Sequence, residues 1–130
     1  MGIHYAQLEN NALKLINCDK LESVKAQVSD LHFDKKIRKL FIGTFLRGIM
    51  VYDMNTKSVI RPDYNLKDIS ITRFKPLNDK ELLIATDGGG VHKINMDTYQ
   101  IVPEIVADYN SNCGMNGNSI NDIFVDLSLI

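Results

Sequence analysis

A repeat spaced by 42 residues, the interval from Gly48 to Gly90, limits what this chain can fold into. Residues 28–60, VSDLHFDKKIRKLFIGTFLRGIMVYDMNTKSVI, lie over residues 69–102, ISITRFKPLNDKELLIATDGGGVHKINMDTYQIV, with one gap. Identical pairs are Ser29/Ser70, Phe33/Phe74, Leu40/Leu82, Ile42/Ile84, Thr44/Thr86, Gly48/Gly90, Met54/Met96 and Thr56/Thr98. Partial copies flank the two units. Residues 2–16 match the back half, with Gly2 and Ile3 under Gly48 and Ile49. Residues 120–126 match the front half, with Ile120 under Val28 and Val125 under Phe33.

Each unit reads as four short strands. In the second they are ISITRF, ELLIAT, GVHKIN and QIVP, rich in β-branched and aromatic residues. Turn formers separate them: Pro76, Asn78-Asp79, Asp87 to Gly90, and Asp97-Thr98. Helical spacing is also possible over 6–15 and 21–31, but the repeat favours strands for the first. Four antiparallel strands in roughly 40–45 residues is the period of a propeller blade. The expected fold is therefore all-β, a β-propeller fragment of four-stranded antiparallel blades, two complete and two partial. Residues 1–17 would supply the outer strands of a partial blade. Residues 28–64 and 69–106 would form the complete blades, 107–119 an inter-blade loop, and 120–130 the inner strand of a further partial blade.

The three consecutive glycines Gly88, Gly89 and Gly90 fall between the second and third strands of a unit, where the first unit has Leu46-Arg47-Gly48. A phosphate loop would need a helix after the glycines, and GVHKIN alternates like a strand. They read as a turn, with φ > 0 expected at Gly48 and Gly90 and with Asp87 expected to accept from the turn amides. One aspartate beside glycines lacks the oxygen ligands calcium requires.

Charge and composition exclude further classes. The 130 residues carry a formal net charge of −1 and are 45% hydrophobic, which marks an ordinary globular balance and no nucleic-acid-binding footprint. Residues 1–10, MGIHYAQLEN, contain neither the basic nor the apolar region of a signal peptide. No apolar run approaches the roughly 18 residues of a membrane span. Cys18 and Cys113 read as free thiols, and pairing between them stays open.

No catalytic constellation and no metal or cofactor site emerges. His4 and His92 match each other in separate units, and His32 lies in a first strand, so they read as half-buried strand side chains. Asp30 and Asp34 are expected to face solvent or cap turns. The candidate ligand-binding stretch is residues 107–122, ADYNSNCGMNGNSIND, which lengthens the second inter-unit link: Ile69 to Ile120 spans 51 residues against 41 for Val28 to Ile69. Asn110, Asn112, Asn116 and Asn118 offer paired donors and acceptors suited to sugar hydroxyls, and Tyr109 could stack on a sugar face. The same residues also suit a plain loop.

The units resemble the regulator-propeller repeats of bacterial hybrid two-component sensor histidine kinases. Asn118-Ser119-Ile120 with Asp126 is similar to the start of that repeat. Leu40-Phe41-Ile42-Gly43-Thr44 and Leu82-Leu83-Ile84-Ala85-Thr86 are similar to its central motif. Gly48-Ile49 with Tyr52-Asp53-Met54-Asn55-Thr56, and Gly90-Val91 with Asn95-Met96-Asp97-Thr98, are similar to its close. Phe41 and Leu83 stand where that repeat has tryptophan. The resemblance implies the periplasmic sensor region of an inner-membrane signalling protein that recognises polysaccharide breakdown products. The expected role is a non-catalytic sensing module for a carbohydrate-like ligand or a partner subunit. The alternatives are a propeller enzyme acting on glycans and a pure interaction scaffold. Acidic or histidine side chains repeated at 30/71/122 and 32/73/124 would favour the enzyme, but those positions read Asp, Ile, Asp and His, Arg, Phe. No nucleic-acid partner is expected. Unpaired edges at the partial blades lead to the expectation of a homo-oligomer or edge-strand pairing.

Overall fold

Alternating β-formers separated by Asn, Asp and Gly turns give ten strands and no helix among the residues described by the computed structural model, which are 3, 5–16, 26–62, 65–66, 69–105 and 119–126. β1 (Tyr5–Glu9) and β2 (Ala12–Ile16) form an antiparallel hairpin. Its turn residues Asn10 and Asn11 have φ of 49° and 63°, the left-handed pair that short hairpin turns demand. These strands occupy the 6–15 stretch that had also fitted helical spacing.

β3 (Val28–Asp34), β4 (Lys39–Thr44), β5 (Ile49–Asp53) and β6 (Ser58–Ile60) form a four-stranded antiparallel meander. β7 (Ser70–Pro76), β8 (Glu81–Asp87), β9 (Val91–Asn95) and β10 (Ile101–Ile105) form a second. Pro103, which cannot donate to a ladder, sits on the edge strand β10.

The two sheets pack face to face. Phe41, Ile49 and Val51 of the first meet Phe74, Leu82, Ile84, Ile94 and Met96 of the second, with Leu66 and Ile71 completing one core. Complete burial of a side chain such as Phe41 or Ile84 contributes about 1.5–3 kcal/mol. The opposite face of the first sheet, Leu40, Ile42, Met50 and Tyr52, packs on Ile3 and Ala26. At Gly43 the second sheet approaches closely. A Cβ there would lie 2.7 Å from Ile71 Cγ2, which explains glycine in the middle of a strand.

The ladders correct the repeat in the inner strands. Val28 pairs with Thr44 and Leu31 with Ile42, while Ile71 pairs with Thr86 and Phe74 with Ile84. Leu31 is therefore equivalent to Phe74, Ser29 to Thr72 and Asp30 to Arg73, two residues from the pairs that sequence identity picks out. Ser29 and Thr72 are the extra residues of matching β-bulges. Each donates its hydroxyl onward, Ser29 to the Ile71 carbonyl and Thr72 to the Ile120 carbonyl. Ile120 thus stands to β7 as Ile71 stands to β3. Residues 119–122 lie against the second sheet, held also by the Asp87–Ser119 bridge, by the Ile120 amide donating to the Thr86 carbonyl at 2.8 Å and by the Arg73–Asp122 ion pair.

Candidate functional site

The glycine turns occupy one end of the sheets. Thr86 donates its hydroxyl to the Gly90 carbonyl at 2.7 Å, its amide donates to the same carbonyl at 3.1 Å, and Thr44 and Gly48 repeat both bonds at the same distances. Gly48 and Gly90 have φ of 65° and 76°, as the turn requires. The acceptor of a turn amide is Thr86, whose hydroxyl takes the Gly89 N–H at 3.0 Å. Asp87, expected in that role, instead accepts from the Ser119 hydroxyl at 2.7 Å. β8 runs through Asp87, so it is a strand residue and not a turn residue. His92 donates Nε2–H to the Gly89 carbonyl at 2.8 Å, which fixes its tautomer and keeps it in a structural role.

A continuous line of contacts crosses this end. The Leu46 amide donates to the Ser70 hydroxyl at 3.0 Å, Ser70 pairs with Asp87 across β7 and β8, and Asp87 holds Ser119. Exposed Phe45, Leu46 and Arg47 stand at one side of the line, and exposed Asp87, Gly88 and Ser119 at the other. The surface therefore combines an aromatic ring, a cation and a carboxylate, a set able to stack on and hydrogen-bond a polyhydroxylated molecule. Tyr109, Asn110, Asn112, Asn116 and Asn118 lie outside the described residues, as do His4, Cys18 and Cys113. The Asn-rich stretch nevertheless leads directly into Ser119, which this surface pins. Sequence reasoning missed Phe45 and Leu46, which lie in the turn between β4 and β5 and are exposed.

The opposite end carries a cleft of about 250 Å³ where His32 and Asp34 of the first sheet face Asn78 and Asp79 of the second. Its polar groups are mostly engaged. Asp34 accepts the amides of Lys36 and Ile37 at 2.9 and 3.3 Å, and Asn78 accepts those of Lys80 and Glu81 at 2.9 and 2.8 Å. Lys36 pairs with Asp79 at 3.2 Å. His32 is half-buried, with its ring 6.3 Å from that of Phe41. Burial lowers its pKa, opposed by the nearby charges of Asp34 and Asp30.

Inner-strand acids do not gather as a catalytic pair. The corrected register places Asp30, Arg73 and Asp122 at one equivalent position. Asp30 Oδ1 accepts the Leu31 amide at 2.9 Å, and Oδ2 accepts the Phe74 amide of the next sheet at 2.8 Å. Asp122 accepts the Ile123 amide at 2.8 Å and lies 3.7 Å from Arg73 Nε. Asp30 was expected to face solvent or cap a turn; it staples two sheets instead. Among the described residues no group of three or more His, Cys, Asp or Glu side chains could hold a metal ion, and no helix is long and apolar enough to cross a membrane. No family model matches the chain, and no curated protein is significantly similar to it.

Proposed function

We propose that the chain is a propeller segment that binds ligand without catalysis, serving as the extracytoplasmic sensing module of a two-component signalling protein. The ligand is carbohydrate-like and lies across the glycine-turn end of the sheets. Support for the propeller reading comes from two equivalent four-stranded meanders packed face to face, with inner strands handed from one unit to the next by bulge hydroxyls. The observation that carries the binding reading is the Ser119–Asp87 bond, which fixes the residue that follows the Asn-rich stretch in sequence at the same sheet end as exposed Phe45 and Leu46.

Calorimetry and protein-observed NMR against a panel of neutral and acidic oligosaccharides test this. Saturable binding that weakens at least tenfold in Tyr109→Ala and Phe45→Ala is the expected result. Binding unaffected by either change would remove the site from this end. Turnover of glycosides, lost on changing Asp30 or Asp122, would replace the binding reading with an enzymatic one.

A further inference from the structure

Two equivalent surfaces of the two sheets are treated differently. On the second sheet, Phe74 is 5% exposed and Leu82 and Met96 are buried, because the first sheet covers them. On the first sheet the equivalent face bears Leu31, Leu40 and Met54, and there Leu31 is 44% and the neighbouring Phe33 41% exposed. These residues, with Ile3, Ala6 and a single charged side chain, Arg38, line an open, mostly apolar groove of about 450 Å³. The groove continues the packed face formed by Ile42, Met50 and Tyr52. Ala6 shares a hairpin face with exposed Leu8, Leu13 and Leu15. Exposed apolar surface of this extent marks an interaction site.

The chain shows what fits such a groove. Between its two sheets, His32 of β3 borders the same cleft as Pro76 and Met96. Pro76 is equivalent to Phe33, and Met96 to Met54. The residue equivalent to His32 in the segment 120–126 is Phe124. The correspondence follows from the shared bulge bonds and from Asp30 and Asp122, each of which accepts the amide of the following residue. Phe124 is 87% exposed. It cannot reach its own groove. Thr72 and Arg73 of β7 and Thr86 of β8 hold residues 120–122 against the second sheet, whereas the groove lies on the face of the first sheet turned away from the second.

We infer that the groove accepts residues 120–126 of a second copy of this chain, with the partner's Phe124 brought to Phe33 and Met54 as β3 brings His32 to the cleft that Pro76 and Met96 line. The contact joins two different surfaces, so each copy offers one groove and one plug. Such head-to-tail contacts close into a ring or extend as a filament. The inference rests on the propeller reading for its geometry but does not involve the ligand, so oligosaccharide binding can fail while this contact holds.

Light scattering of the full chain from nanomolar to high micromolar concentration tests it. The expected mass is at least twice the 14.7 kDa of one chain. Phe124→Asp and Leu31→Asp should each reduce it to one chain with an unchanged circular dichroism spectrum, both positions being solvent-exposed in a single copy. Mixing the two variants should restore one intact groove and one intact plug, and so a species of two chains. If either variant unfolds, cross-linking between Leu31→Cys and Phe124→Cys chains, each also carrying Cys18→Ser and Cys113→Ser, replaces it. A monomer at all concentrations, oligomers indifferent to both substitutions, or no cross-link between the two cysteine variants overturns the inference.

Discussion

Thr86 closes its turn twice, giving its hydroxyl to the Gly90 carbonyl and taking the Gly89 amide. Thr44 gives its hydroxyl to the Gly48 carbonyl in the same way. Thr86→Val keeps the shape and removes both bonds, leaving a polar group without its partner. It should cost about 1–2 kcal/mol, or roughly 3–6 °C in Tm for a chain of this size. Thr44→Val should cost less. Thermal unfolding of both variants checks the order, and a larger loss at Thr44 would contradict the added role of the Gly89 amide.

The three glycines should respond to alanine for different reasons. Gly90→Ala places a Cβ on left-handed backbone and should cost about 1–2 kcal/mol. Gly89→Ala brings a Cβ to 2.9 Å from Thr86 Oγ1 and 3.1 Å from Ile69 Cδ1, a packing cost. Gly88 has open space around a Cβ but a φ of +99°, so it is less tolerant than its exposure implies. Leu46, at the same place in the first turn, has φ of 58°. Gly88→Asn should therefore be milder than Gly88→Val, since Asn enters that region more readily. Equal Tm for those two variants would count against the backbone argument.

Asp30→Ala should destabilise the chain by about 1–3 kcal/mol, because the Phe74 amide between the sheets loses its acceptor. Asp122→Ala should cost under about 1 kcal/mol, its ion pair with Arg73 being long and exposed. Urea denaturation of the two variants measures the difference, and equal midpoints would argue against the staple.

Stability should fall with acid in two windows. The His32 pKa is lowered by burial, so below the ordinary value of 6.5 the unfolded chain takes up a proton that the folded chain resists. That part of the stability is intact above pH 6.5 and declines from there toward the lowered value. Asp53 is lowered by the amides of Asn55 and Thr56, and Glu81 by the Asn78 side chain and then Lys93. Their contributions are present above the ordinary values of 3.8 and 4.5 and disappear as the pH falls through the lowered ones. His32→Asn should flatten the upper window of a Tm-against-pH curve and leave the lower one in place.

The sheets were legible because Thr44/Thr86 and Gly48/Gly90 mark the same turn in both units and β-branched residues fill the strands between. The inner strands were misaligned by two residues for a physical reason. A slip of two keeps every side chain on its own face, so hydrophobic pattern cannot detect it, and the Ser29/Ser70 and Phe33/Phe74 identities drew the register the wrong way. Only the bulges, visible as hydrogen bonds, resolve it. Asp30 escaped notice because its partner is a backbone amide in another sheet, which no side-chain motif records. The turn at Gly90 was read correctly since φ > 0 leaves a compositional mark. The exposure of Phe45 leaves none.

Val51 lies fully buried between the two sheets, and the corresponding residue on the outward face of the second is Lys93, clasped by Glu81 at 3.0 Å and Glu104 at 2.9 Å. The two units are consequently not interchangeable parts. Exchange their order along the chain, and an ammonium group with two carboxylates replaces valine in the dry seam. Whatever duplication produced the repeat, its copies have since acquired addresses: each now works only where it stands.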